Sequence, residues 1–112
     1  MDGYVERVRA YSPDMKLCVT EFGWASSEGY SAAPEGFGFA LDNTLQEQAD
    51  YLVQAYQQMH AAGDFWLVFA FNFDFGNKGS GELDDPVPYS IVDLNGIPRP
   101  AFGAIAAMEK PD

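Results

Sequence analysis

The sequence predicts an α/β fold in which two parallel strands are each followed by a helix, with a further helical segment at the N-terminal side. Three observations predict it: apolar strand-like runs at residues 16–22 and 65–75, a capped amphipathic helix between them, and a helix after the second run. Alternation of strands and helices favours parallel pairing through right-handed crossovers. At 112 residues, positions 1–112 fit one domain.

The first two elements are read from residues 2–22. Residues 2–11 have apolar side chains at helical spacing, and Ser12-Pro13-Asp14 then ends the pattern. Residues 16–22 show little polar alternation, which is typical of a strand buried on both faces in a parallel sheet. The following 21 residues, 23–43, are rich in Ser, Ala, Gly and Pro, and loops of that length are usually functional or mobile.

The central helix carries the clearest local signals. Thr44 and Glu47 match a T-x-x-E capping box, and Gly63 supplies a C-terminal stop. Apolar side chains recur at helical spacing between these signals. They are Leu45, Ala49, Leu52, Val53, Tyr56 and Met59 or His60.

The last third of the chain predicts the second strand, a loop and a final helix. If residues 65–75 stay extended, Phe69, Phe71, Phe73 and Phe75 fall on one face. Pro100 is placed to begin a helix that runs towards residue 110. Two strands alone leave both outer edges unpaired, which predicts that this sheet belongs to a larger one.

Composition excludes several classes of function. The chain has 6 basic and 17 acidic residues, a net charge of −11, so nucleic acid and anionic membrane surfaces are poor partners. The charge serves solubility, or it fits a neutral or cationic substrate. The chain has no run of eighteen apolar residues, so no membrane span is predicted. The first ten residues do not resemble a signal peptide.

The single cysteine and the single histidine predict no separate chemistry. The sequence has one cysteine, Cys18, which excludes an internal disulfide. It lies inside the first strand-like run and is expected to behave as a small hydrophobic residue. His60 is expected near a helix end, and two such residues do not make a zinc site. No metal and no cofactor are therefore predicted. Glu82, Asp84 and Asp85 form an acidic cluster that is expected to be solvated, with calcium binding as the alternative.

Glu21 is the strongest candidate for a catalytic residue. It ends the first buried strand, and the carboxyl ends of parallel strands form the edge that carries active sites in α/β sheets and barrels. Leu17, Val19 and Glu21 should share a face if the strand is regular. The alternative is a salt-bridged or helix-capping acid at a strand end.

Three motifs resemble one enzyme family. "VTEFGWAS", residues 19–26, is similar to the seventh-strand motif of retaining (β/α)8-barrel glycoside hydrolases of the cellulase-like and β-xylosidase-like clan. "FAFNFDFG", residues 69–76, resembles their eighth-strand pattern, with Phe71 where that pattern has tryptophan. "YSIVDLNGIPRPAFGAIAAM", residues 89–108, resembles the tail leading into the last barrel helix. The resemblance covers essentially the whole chain.

This resemblance implies a partial TIM barrel containing the seventh and eighth β/α units. It implies that Glu21 is the nucleophile of a glycosidase that hydrolyses O-glycosidic bonds in poly- or oligosaccharides. Trp24 would stack on a sugar or wedge the loop, and Phe71 would form the floor of the sugar subsite. Asn72 would reach the substrate or hold the adjacent loop. Such enzymes are often secreted, which is all that the resemblance implies about the compartment.

The second carboxylic acid of a retaining mechanism is missing from the pattern. The family carries it in an Asn-Glu pair on the fourth strand, and this chain has no such pair. Glu28, Glu35 or Asp74 would have to replace it, and the spacing favours none of them. We therefore expect activity only with the remainder of the barrel. The alternative is a non-catalytic carbohydrate-binding or self-associating barrel remnant.

Overall fold

A computed structural model describes residues 2–76 and 78–111 and confirms an α/β arrangement with two parallel strands. The sheet order is β1–β2, and short 3-10 turns interrupt the two long loops at Gly38–Leu41 and Val87–Tyr89. The helices and strands are α1 (Asp2–Tyr11), β1 (Leu17–Phe22), α2 (Leu45–Ala62), β2 (Phe65–Ala70) and α3 (Pro100–Ala107).

Helix α2 begins and ends where the sequence predicts. The Thr44 hydroxyl accepts a hydrogen bond from the Glu47 backbone N–H at 3.0 Å, and the Glu47 carboxylate accepts from the Thr44 N–H at 2.7 Å. Gly63 ends the helix with a φ of 73°, a left-handed conformation that glycine adopts without steric cost. Both helix ends are therefore fixed by local chemistry.

The apolar core lies between α2, α3 and one face of the sheet. Ala49 and Leu52 from α2 pack with Ala101 from α3, and all three are buried. Phe22 and Ala70, which are partners in the sheet register, pack against this cluster. α2 thus covers one face of the sheet near the carboxyl ends of the strands.

Strand β1 contains an irregularity that changes the predicted faces. Val19 pairs with Val68 and Phe22 pairs with Ala70, so Thr20 and Glu21 together stand opposite the single residue Phe69. One extra residue in a strand makes a β-bulge, which bends the strand and redirects side chains. Leu17 and Val19 are half-buried whereas Glu21 is exposed. The prediction that these three residues share a face is therefore wrong.

The second strand is shorter than predicted. β2 ends at Ala70, and the peptide bond between Phe71 and Asn72 is cis. Residues 71–75 instead run beside residues 89–92, with hydrogen bonds from the Ile91 N–H to the Asn72 carbonyl and from the Val92 N–H to the Phe73 carbonyl. The Phe73 ring lies 5.9 Å from the Phe102 ring of α3. The four phenylalanines therefore do not share one face.

Helix α1 is attached differently from the other helices. It has no buried residue among those described, and an ion pair between Arg9 and Asp64 ties it to the start of β2.

Cys18 of β1 is exposed, so the expectation that it behaves as a buried hydrophobic residue is wrong. Over residues 2–76 and 78–111, the helices are too short or too polar to cross a bilayer.

Candidate active site

The Glu21 carboxylate lies at the carboxyl end of β1, inside the bulge. The ends of the two strands are joined beside it by a hydrogen bond of 2.7 Å from the Phe71 N–H to the Phe22 carbonyl. Its side chain is exposed, and none of the described residues donates a hydrogen bond to it or forms an ion pair with it. The alternative of a salt-bridged or helix-capping acid therefore has no support within the described residues.

Gly23 allows three segments to meet next to Glu21. A β-carbon at position 23 would lie 2.5 Å from the Phe71 carbonyl oxygen and 2.8 Å from Cδ1 of Tyr89. Contacts below 3.0 Å require the backbone or the ring to move, so only glycine fits without rearrangement. The requirement for glycine at position 23 therefore comes from this close approach of neighbouring segments.

An aromatic row extends from this meeting point. The ring centroids of Phe71 and Tyr89 are 6.1 Å apart, those of Tyr89 and Phe37 are 6.2 Å apart, and those of Phe37 and Phe39 are 5.7 Å apart. Phe39, at the far end, is exposed, while the other three are half-buried. The four rings come from three separate segments and form a row of successive ring contacts at the carboxyl edge of the sheet.

Trp24 lies away from this row. Its ring centroid is 4.3 Å from that of Tyr51 on α2, and it packs against the core cluster around Leu52. Its indole N–H is buried, with no acceptor among the described atoms. Of the two roles open for Trp24, the contacts favour wedging the loop over stacking on a sugar.

Asn72 holds the loop that follows β2. Its side-chain N–H donates to the Pro86 carbonyl at 2.7 Å, and its side-chain oxygen accepts from the Ser90 hydroxyl at 2.6 Å. Because both polar atoms are already engaged, the contacts favour the loop-holding role over a contact with substrate.

A buried polar cluster centred on the Pro88 carbonyl, next to Tyr89 in the chain, was not predicted from the sequence, and we call it the carbonyl hub. The Pro88 carbonyl accepts from the Ser26 N–H at 2.9 Å, from the Gln48 side chain at 3.1 Å and from the Arg99 guanidinium at 3.2 Å. The same Arg99 nitrogen also donates to the Ser26 and Ser90 carbonyls, and the guanidinium lies 4.9 Å from the Tyr30 ring centroid. The hub therefore joins the two long loops to α2.

One member of the hub had a visible signal in the sequence. Gln48 lies three residues after Leu45 and four before Leu52, so it is on the apolar face of α2, where a polar side chain needs a buried partner. Arg99 had no comparable signal, because its partners are backbone carbonyls that any sequence provides.

Three other acidic residues accept hydrogen bonds that hold local structure. Glu28 accepts from the Leu45 N–H at the start of α2, Glu82 accepts from Ser31, and Asp84 accepts from the Ser80 N–H. Across residues 2–76 and 78–111, no three His, Cys, Asp or Glu side chains are grouped in a way that could hold a metal ion. Within the predicted acidic cluster, Glu82 and Asp84 therefore hold loop residues through exposed hydrogen bonds, and Asp85 is exposed as expected for a solvated residue.

The carboxyl edge of the sheet thus brings together Glu21, Gly23, Phe71 and Tyr89, and leaves Trp24 on the α2 side. The Glu21 carboxylate is exposed at this edge and has no hydrogen-bond or ion-pair partner among the described residues. Comparison with protein-family models, curated proteins and solved structures found no match for this chain.

Proposed function

We propose that this chain supplies the nucleophile-bearing part of a retaining β-glycosidase barrel, with Glu21 as the nucleophile. The observation that carries the proposal is the position of the Glu21 carboxylate. It is exposed in a bulge at the carboxyl end of a parallel strand, the edge at which α/β barrels hold their active sites. Bulges often occur beside active sites, where they direct a side chain.

In this mechanism, the Glu21 carboxylate attacks the anomeric carbon of a β-linked sugar and forms a covalent glycosyl-enzyme. A second carboxylic acid protonates the departing oxygen and then deprotonates the water that releases the sugar. Glu28 is an unsuitable second acid because it accepts a hydrogen bond from the start of α2. We assign the acid/base to the remainder of the barrel, outside these 112 residues.

The proposed substrate is a neutral poly- or oligosaccharide. Sugar rings have apolar faces that pack on aromatic side chains, and Phe71 with Tyr89 supplies such a surface next to Gly23. A neutral ligand is also compatible with the net charge of −11, which would repel an anionic one. Phenylalanine offers no N–H donor at position 71, so affinity there would come from packing alone.

The test is covalent labelling of Glu21. A 2-deoxy-2-fluoro-β-glycoside with a dinitrophenolate leaving group needs no general acid, because the leaving group departs unprotonated. The chain is mixed with a separate polypeptide that contains the first six β/α units of a retaining β-glycosidase, and the adduct is located by peptide mass spectrometry. We expect glycosylation of Glu21, and none in Glu21→Gln.

The matched control is Glu35→Gln, which removes another exposed carboxylate from the adjacent loop. It should be labelled like the unchanged chain. A label on any residue other than Glu21, or no label when the two polypeptides form a complex, contradicts the proposal.

A second candidate is a non-catalytic carbohydrate-binding surface, which the aromatic row favours independently of Glu21. Calorimetric titration with xylo- and gluco-oligosaccharides separates the two functions. Binding that is unchanged in Glu21→Gln, lost in Phe71→Ala and accompanied by no labelling would favour this candidate.

A further inference from the structure

The backbone on both sides of Tyr89 is firmly held. Its neighbours Pro88 and Ser90 are fully buried, and their carbonyls both accept hydrogen bonds from the Arg99 guanidinium. The Tyr89 carbonyl accepts from the Asn72 N–H at 3.3 Å. Buried hydrogen bonds of this kind are costly to break. The segment that carries the Tyr89 ring therefore has little freedom to move.

The Tyr89 ring lies against the backbone two residues after Glu21. A β-carbon at Gly23 would lie 2.8 Å from Cδ1 and 3.5 Å from Cε1 of this ring, so one ring edge faces the glycine. The Phe71 and Phe37 rings contact Tyr89, with centroids 6.1 Å and 6.2 Å away. These contacts hold the ring beside the segment that positions the Glu21 carboxylate.

The Tyr89 hydroxyl is not engaged by the protein. None of the described residues forms a hydrogen bond with it, and the Glu21 carboxylate is therefore not its partner. The Tyr30 hydroxyl is buried without a partner, whereas the Tyr89 hydroxyl is accessible on a half-buried side chain. A tyrosine hydroxyl can both donate and accept a hydrogen bond. Both capacities are available to a ligand at this edge of the sheet.

A sugar bound here requires a polar partner. Sugar hydroxyls that leave water need replacement hydrogen bonds, and the Phe71 ring supplies no donor. Tyr89 contacts that ring and brings a hydroxyl to the same place. We propose that Tyr89 is a specificity-determining residue whose hydroxyl binds a hydroxyl group of the sugar that Glu21 attacks. This inference rests on the proposed function and adds a residue to the same site.

Affinity measured in a Glu21→Gln background tests the proposal, because the bound oligosaccharide is then not cleaved. The chain is combined with the polypeptide that contains the first six β/α units, and xylo- and gluco-oligosaccharides are titrated calorimetrically. Tyr89→Phe removes only the hydroxyl oxygen and should weaken binding about three- to tenfold, the effect of losing one uncharged hydrogen bond. The matched control is Tyr51→Phe, at a 42% exposed position whose ring packs on Trp24, and it should leave the affinity unchanged.

Two further measurements separate sugar binding from other roles of the hydroxyl. Urea denaturation of Tyr89→Phe should match that of the unchanged chain, because the hydroxyl holds no other described residue. With saturating 2-fluoro glycoside, Glu21 should still be labelled in Tyr89→Phe, because a binding group is not needed for bond cleavage itself.

The possible failures are distinguishable. Unchanged affinity in Tyr89→Phe, reduced stability of that variant, or loss of its Glu21 label overturns this inference and leaves the proposed function in place. Absence of the Glu21 label in the unchanged chain overturns the proposed function, and this inference with it.

Discussion

The two ends of the sheet are built differently. At the carboxyl ends of the strands, the long loops are joined by the carbonyl hub, in which Arg99 and Gln48 reach backbone carbonyls from distant parts of the chain. At the amino ends, α1 buries no described residue and is held by the Arg9–Asp64 ion pair. The two side chains keep 33% and 24% of their surface exposed, and an ion pair that solvent still reaches contributes about 0–1 kcal/mol. The end that carries Glu21 is therefore the more strongly fixed one.

This difference matters for the proposed chemistry. A nucleophile must stay within a fraction of an ångström of its productive position, and loops alone rarely provide that precision. The hub supplies buried hydrogen bonds, which are electrostatically stronger than exposed ones and costly to break. The remaining predictions test whether stability is concentrated at this end.

The largest effect is expected from truncating the core beneath the hub. Leu52 is 2% exposed, and Leu52→Ala should reduce the free energy of unfolding by about 3 kcal/mol, because it removes apolar burial and leaves a cavity. Leu67→Ala, on the exposed face of β2, makes the same chemical change. It should cost less than about 0.5 kcal/mol in urea denaturation. Equal losses would contradict the contrast between the two regions.

Removing the centre of the hub should have the next largest effect. Arg99→Ala leaves the buried Ser26 and Ser90 carbonyls without their guanidinium donor and should cost about 2–3 kcal/mol. Arg99→Lys retains the charge and a single nitrogen donor but loses the planar guanidinium that lies over the Tyr30 ring, so it should recover only part of the loss.

The control is Arg7→Ala on α1, which removes a charge of the same type from an exposed position. It should change the unfolding midpoint very little. If Arg7→Ala proved as damaging as Arg99→Ala, stability would depend on total charge and the hub would have no special role.

Local signals explain why part of the fold could be predicted from the sequence. The capping box at Thr44 and the glycine stop at Gly63 act within a few residues of the chain, so α2 was predicted closely. The apolar runs of both strands and the proline at the start of α3 are equally local. Each of these elements follows from chemistry that neighbouring residues supply.

The missed features depend on residues far apart in the sequence. The bulge at Thr20 and Glu21 exists only relative to the register with β2, and the end of β2 at Ala70 follows from pairing with residues 89–92. The position of Trp24 against Tyr51 likewise depends on where α2 packs. Hydrophobic periodicity does not encode such pairings, because many distant partners satisfy the same pattern.

The smallest effect is expected at the start of α2, where the 23–43 loop ends. Thr44→Ala removes the side-chain bond to the Glu47 N–H and should cost about 1 kcal/mol, since one of the N–H donors at the start of the helix loses its acceptor. Thr20→Ala changes the same residue type at an exposed strand position and should cost less in the same urea titration. The difference between the two threonine variants gives the contribution of the helix cap to the free energy of unfolding. That contribution can then be compared with the packing contribution measured with Leu52→Ala.

The size of the Thr44→Ala effect also tests how the loop is held. Ser26 donates its hydroxyl to the Asn43 carbonyl at 2.7 Å, so the cap and the hub are linked through one residue next to Thr44. If the cap acts alone, the losses in Thr44→Ala and Arg99→Ala should add in the double variant. If the double variant loses clearly less than the sum, the loop and the helix start form one cooperative unit, and the fixed end of the sheet extends to the beginning of α2.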